Sequence, residues 1–152
     1  MKPIDVDEVE RYLRTVPSNS KVYIGADSSK FKRNGIWYTE IASVVVIHLA
    51  CKHGCKIFYE TVVERDWDAD KRKPRTRLLN EVQKIAELYT RLELALIDFE
   101  VEIHIDINRD KKYASSLILD EAIGYIKGMT GLDALVKPDS WAASIAADRM
   151  LH

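Results

Sequence analysis

The sequence predicts a single α/β domain built on a mixed sheet, and three patterns point to it. Val101, Ile103, Ile105 and Ile107 alternate with Glu102, His104 and Asp106, the period-2 signature of a strand. Asn34-Gly35 lies between two β-rich runs and signals a tight hairpin. Leu78, Leu79, Val82, Ile85, Leu88, Tyr89 and Leu92 recur at helical spacing and mark an amphipathic helix between strand-like segments. A length of 152 residues suits one domain, with residues 1–20 as N-terminal helix and linker and 21–152 as the core.

Taken in order, Val6, Val9, Tyr12, Leu13 and Val16 predict an N-terminal helix ending near Pro17. A strand follows over residues 21–27, and the hairpin segment 28–35 returns the chain into a long β-branched strand over 36–49. A turn around 52–54 leads to a third strand over 56–64. The charged stretch 65–75 then enters the helix described above. After the fourth strand come a helix over about 115–128, a short strand near Leu135, and a last helix over about 139–151 with Asp139 or Ser140 as N-cap. Hairpins join the first three strands, and the later ones require right-handed crossovers.

Composition narrows the function classes. Apolar residues make up 47% and charged residues 31%, the balance of a soluble globular protein. A net charge of -1 means that any nucleic-acid binding must rest on a local basic patch and bound metal. The start carries no signal-peptide pattern, and the longest apolar region, 41–51, is interrupted by Ser43 and His48 and is too short to cross a bilayer. No membrane partner is expected. Two cysteines make no disulfide scaffold, so a reducing cytoplasm is the expected setting.

Three aspartates stand where apolar runs give out: Asp27 in VYIGADSS, Asp106 in VEIHIDIN and Asp139 in ALVKPDSW. Taking a carboxylate out of water costs several kcal/mol unless a cation or donors compensate it. Three of them on separate runs point to one edge of a sheet that holds divalent metal.

The element order and these positions resemble the ribonuclease H-like fold. Asp27-Ser28-Ser29 is similar to the Asp-Gly-Ser after that family's first strand, and Arg77-Leu78-Leu79-Asn80-Glu81-Val82 to its helix-borne glutamate segment. Asp106 takes the place of the fourth-strand aspartate, and Asp139-Ser140-Trp141-Ala142-Ala143 that of the aspartate opening the last helix. IHIDI and VKPDSWAASIAAD resemble the YkuK-type branch more closely. The resemblance runs from about Lys21 to the C-terminus. It implies a sheet of order 3-2-1-4-5 with the second strand antiparallel to the rest, and a metal-dependent nuclease.

In that topology the C-terminal ends of the first, third, fourth and fifth strands share one edge. Asp27, Asp106 and Asp139 then lie together, with Glu81 facing them from its helix. Such carboxylates repel unless they share cations, and their hard oxygens suit two Mg²⁺ or Mn²⁺ ions. A pair of ions about 4 Å apart activates a water and stabilises the leaving oxygen of a phosphodiester. Lys30, Lys32 and Arg33, then residues 71–77 with Lys73, Arg75 and Arg77, then Arg109, Lys111 and Lys112 surround the same edge as a phosphate-binding surface. The expected partner is RNA, RNA/DNA hybrid or structured DNA.

Each residue also has a plainer reading. Asp139 is by itself a helix N-cap, Asp106 a strand-end residue and Glu81 a solvated helix residue. Asp148 is a surface residue and the alternative to Asp139; Glu40 is a reserve ligand or a cross-strand partner; His104 supports Asp106 or is a hydrogen-bonded core histidine. Cys51, His53 and Cys55 lack zinc spacing. Asp66, Asp68 and Asp70 fail as a calcium loop because Lys71 and Arg77 stand where glycine and glutamate are needed. Trp141 packs, and Lys137 is a surface lysine or assists the site. Lys30-Phe31-Lys32-Arg33 replaces the usual glycine-rich loop, and no histidine-bearing loop precedes Asp139, which separates this chain from typical hybrid-cleaving enzymes. The rival readings are a non-catalytic binding module of the same fold and an ATPase-like relative, for which the chain is short and glycine-poor.

Overall fold

A computed structural model describes residues 2–49, 54–67, 74–108, 115–137 and 141–142, with side chains undescribed at 74, 75, 106–108, 115–117 and 137. Its elements are α1 (Val6–Leu13), β1 (Lys21–Arg33), β2 (Ile36–His48), β3 (Cys55–Arg65), α2 (Pro74–Leu92), β4 (Glu100–Asn108), α3 (Ser115–Thr130) and β5 (Ala134–Lys137). They form one sheet of order β3-β2-β1-β4-β5. β2 is antiparallel to both of its neighbours, while β1–β4 and β4–β5 are parallel. The expected 3-2-1-4-5 sheet is the observed one.

Local chemistry explains the element boundaries. Asp5 caps α1 by accepting from the backbone N–H groups of Asp7 and Glu8. That helix closes at Leu13, short of the expected Pro17; the Thr15 hydroxyl and N–H both turn back to the Tyr12 carbonyl, and Pro17 disfavours a helical residue before it. Asn34 and Gly35 both take positive φ, 52° and 79°, the paired left-handed turn whose twist suits a two-residue hairpin. Proline opens α2, where its missing N–H costs no helical bond.

β1 departs from the expected end at Asp27. It runs on to Arg33 because the antiparallel register with β2 continues through Asp27↔Ala42 to Arg33↔Ile36. Among the described residues, the parallel register with β4 reaches only Gly25↔His104. Asp27 is therefore inside a strand, two residues past the last β4 partner. Asp106 likewise lies within β4 rather than at its end. Between His104 and Asn108, four residues along β4, β5 advances only from Leu135 to Lys137, so Asp106 falls in a bulged stretch.

The main core lies on one face of the sheet. Leu78, Val82, Ile85, Leu88 and Leu92 of α2 pack with Val22, Ile24, Ala26, Val45 and Ile47, joined by Val9 and Leu13 of α1 and by Ala122 and Ile126 of α3. Ala42, Val44 and Val46 face the other way, with Ala142, Tyr23 and Ile57 against them. Ile24→Ala is expected to lower unfolding free energy in urea by about 2–5 kcal/mol, and Leu94→Ala, at an 86% exposed position, by less than about 0.5 kcal/mol. Equal effects would mean that the core is not where the packing puts it.

Candidate functional site

Glu81 interrupts the apolar stripe of α2 and is buried, unlike the solvated residue expected for a lone helix glutamate. It lies three residues after Leu78 and four before Ile85, so helical periodicity turns it into the core-facing stripe. Its neighbour across the interface is Ser28, buried on the α2 face of β1, whose hydroxyl donates to Glu81 Oε1 at 2.7 Å. Asp27 is the next residue along β1, and alternation puts it on the opposite face of the strand.

Arg77 ties the two carboxylates together. It stands one turn before Glu81 on α2 and reaches the sheet edge. Its Nε donates to Ser28 Oγ at 3.0 Å and lies 3.4 Å from Glu81 Oε1. Its Nη2 donates to Asp27 Oδ1 at 3.2 Å and to the Ser28 carbonyl at 2.9 Å. The side chains of Asp27 and Glu81 are 15% and 6% exposed, so both charges need the compensation that this guanidinium provides. The sequence groups Arg77 with the phosphate-facing residues, yet it turns to the carboxylates. Its spacing of four residues from Glu81 was the available signal.

The other residues of the expected site divide into three groups. Asp106 has a described backbone two residues beyond His104, as Asp27 is two beyond Gly25, and Gly25 and His104 are register partners. Asp139, Asp148, Lys73, Arg109, Lys111 and Lys112 lie outside the described residues, as do Cys51, His53, Asp68 and Asp70, and the side chains of Arg75 and Lys137 are likewise undescribed. Lys30 is half-buried and pairs with Asp66, which also accepts from the Thr39 hydroxyl. Lys32 and Arg33 are exposed near the hairpin end, set against the rings of Trp37 and Phe31. Glu40 pairs in register with Ser29, on the Asp27 side of the sheet, as the Asn34-Gly35 turn demands.

His104 is a buried structural histidine. Its Nδ1 accepts from the backbone N–H groups of Trp141 at 3.0 Å and Ala142 at 3.1 Å, which assigns the proton to Nε2. That Nε2 has no acceptor among the described residues. The ring lies against Tyr23 and edge-on to Trp141, so Trp141 packs as expected. These contacts hold Trp141 and Ala142 against β4.

A model of the Ribonuclease H-like family matches residues 6–152. The chain belongs to the ribonuclease H-like family. The matched span takes in α1, beyond the region from Lys21 that the motifs alone suggest. No curated protein and no solved structure matches the chain. A ribonuclease H-like fold is of the nuclease type, implies nucleic-acid binding in general and often uses divalent metals. Among the described residues, no group of three or more His, Cys, Asp and Glu side chains gathers as a metal cluster. Asp27 and Glu81 nonetheless fit such an ion in kind: they are hard oxygen donors turned toward a position that a cation, the Arg77 guanidinium, already holds. No described helix is long and apolar enough to cross a membrane.

Two measurements test this arrangement. Ser28→Ala removes the hydroxyl that donates to buried Glu81, and urea unfolding is expected to show a loss of about 1–3 kcal/mol; no loss would mean that Glu81 does not depend on it. Burial pushes the His104 imidazole below its ordinary 6.5, with Glu102 opposing and Lys21 adding to the effect. The unfolded chain therefore takes up a proton that the folded chain resists, and stability present above pH 6.5 is lost as the pH falls below it. Urea unfolding in chelator between about pH 7.5 and about pH 5.5 is expected to show this loss, and His104→Gln to reduce it. An identical slope in both proteins would contradict the assignment.

Proposed function

We propose that this chain is a divalent-metal-dependent nuclease of the YkuK-type branch, hydrolysing phosphodiester bonds of RNA or a structured nucleic acid. The observation that carries this reading is that one guanidinium, that of Arg77, bridges Asp27 and Glu81 just past the last described β1–β4 pair. Asp27, Glu81, Asp106 and Asp139 would hold Mg²⁺ or Mn²⁺, in a single domain spanning 1–152. When bound, the metal supplies an activated water and stabilises charge on the leaving oxygen. No side chain is assigned as nucleophile.

The protein's own part is electrostatic and positional. Buried Glu81 and nearly buried Asp27 hold two carboxyl groups at a fixed place on a helix and a strand. Lys32 and Arg33 extend from β1 beyond Asp27, and Lys30, Lys73, Arg75, Arg109, Lys111 and Lys112 complete the proposed phosphate-binding set. A chain of net charge -1 would thus present local positive charge to a polyanion.

A second reading is favoured by Arg77 itself. Because its guanidinium already compensates both carboxylates, the same fold would serve as a non-catalytic nucleic-acid- or protein-binding module without any metal. Thermal melts with and without millimolar Mn²⁺ separate the two, since only the metal-binding reading predicts stabilisation.

Cleavage of hybrid, duplex, junction and single-stranded substrates with Mg²⁺ or Mn²⁺ tests the catalytic claim. At least one substrate is expected to be cut, with Asp27→Asn slower by about 100-fold or more. No cleavage across the panel, or equal cleavage by Asp27→Asn, would end it.

A further inference from the structure

We propose that Arg77 is the resident cation of the carboxylate pair and gives up that place when divalent metal binds. The inference rests on the reading of Asp27 and Glu81 as metal ligands and adds a competitor to it. The oxygens that face the guanidinium, Asp27 Oδ1 at 3.2 Å and Glu81 Oε1 at 3.4 Å, are donors of the kind a metal ion needs. One position between two carboxylates cannot hold a guanidinium and a divalent ion together, because the two cations repel and claim the same lone pairs.

The three charged partners differ in what leaving would cost them. Glu81 and Asp27 are anchored on α2 and β1 with 6% and 15% of their side chains exposed, so their carboxyl groups stay at the edge whatever compensates them. Arg77 is 48% exposed, lies near the start of α2 and makes no part of the apolar core. Its long side chain can turn into water and recover hydration there, whereas the buried carboxylates cannot. Metal binding must therefore displace the contacts of Arg77 to Asp27, Glu81 and Ser28, and the apparent metal affinity of the natural chain is weakened by their strength.

Ser28 makes the exchange orderly. Its hydroxyl donates to Glu81 and accepts from Arg77, while its carbonyl accepts from Arg77. After Arg77 leaves, the Ser28 hydroxyl still donates to Glu81, so the buried carboxylate keeps that hydrogen bond. The metal-free chain is in this way stabilised by its own side chain, and the same side chain sets the metal concentration at which the site loads.

Calorimetric titration of the full chain with Mn²⁺ tests the exchange. Arg77→Met is expected to bind Mn²⁺ about tenfold more tightly than the parent, the size expected from removing charge-assisted hydrogen bonds that compete. Arg77→Lys, which keeps the charge without the fork of donors, should fall between them. In chelator, Arg77→Met should melt at a lower temperature than the parent, with the gap closing as Mn²⁺ is added. In the parent, the Arg77 Nε–H resonance should shift on titration with diamagnetic Mg²⁺, a readout independent of any variant's folding. Equal Mn²⁺ affinity in the parent and both variants, or an unmoved Arg77 resonance at saturating Mg²⁺, would overturn the role of Arg77 alone. No Mn²⁺ binding by the parent or by Arg77→Met would overturn the metal reading and this inference with it.

Discussion

The double pairing of β1 is the constraint on which the site depends. Over Lys21–Gly25 the strand is flanked on both sides, by β2 in antiparallel and by β4 in parallel register. Beyond Gly25, among the described residues, only the β2 partnership continues, and β4 enters a stretch of shifted register with β5 after His104. Among the described residues this leaves a notch beside β1, which begins where the strand carries Asp27 and Ser28. The two-residue turn at Asn34-Gly35 keeps that register, since a one-residue slip would exchange the faces of Asp27 and Ser28. Such a slip would also drive Val22 and Ile24 out of the core, so packing and site placement are enforced together.

Charge inside this notch is held by geometry rather than by solvent. α2 packs along the sheet through Leu78, Val82 and Ile85, which brings Glu81 to the Ser28 side of β1. A buried carboxylate is costly when unpaired, so the fold needs a donor and a cation there before any function is considered. Ser28 supplies the donor and Arg77 the cation. Function of the proposed kind would reuse that need by offering a divalent ion in place of the guanidinium. Stability and activity would then draw on the same two carboxylates, and removing either would affect both.

Much of the fold was legible because its signals are local. Period-2 alternation over 101–107 found β4, Asn34-Gly35 found the β1–β2 turn, and the Leu78-to-Leu92 stripe found α2. The strand order came from likeness to a family, since the spacing of apolar residues does not say which strands become neighbours. An aspartate signals a strand end in the sequence, whereas the β2 ladder carries Asp27 in the middle of β1. Of the site, the expectation that Asp27 and Glu81 lie near one another came from the topology the family likeness implies, and the structure links both to Arg77. Arg77, amid the basic residues of 71–77, reads in the sequence as one more phosphate contact, and its four-residue spacing from Glu81 is the only local hint otherwise. Its inward turn depends on Ser28, 49 positions away, and no local pattern encodes that distance.

The central claim is that Asp27 and Glu81 form a cation site at the β1 notch, filled by Arg77 until a metal ion replaces it. Anomalous diffraction from crystals grown with Mn²⁺ tests it most directly. The account predicts an anomalous peak bounded by the Asp27 and Glu81 carboxylates, with the Arg77 guanidinium turned out to solvent. A guanidinium still lying across both carboxylates, with no anomalous peak beside them, would contradict it.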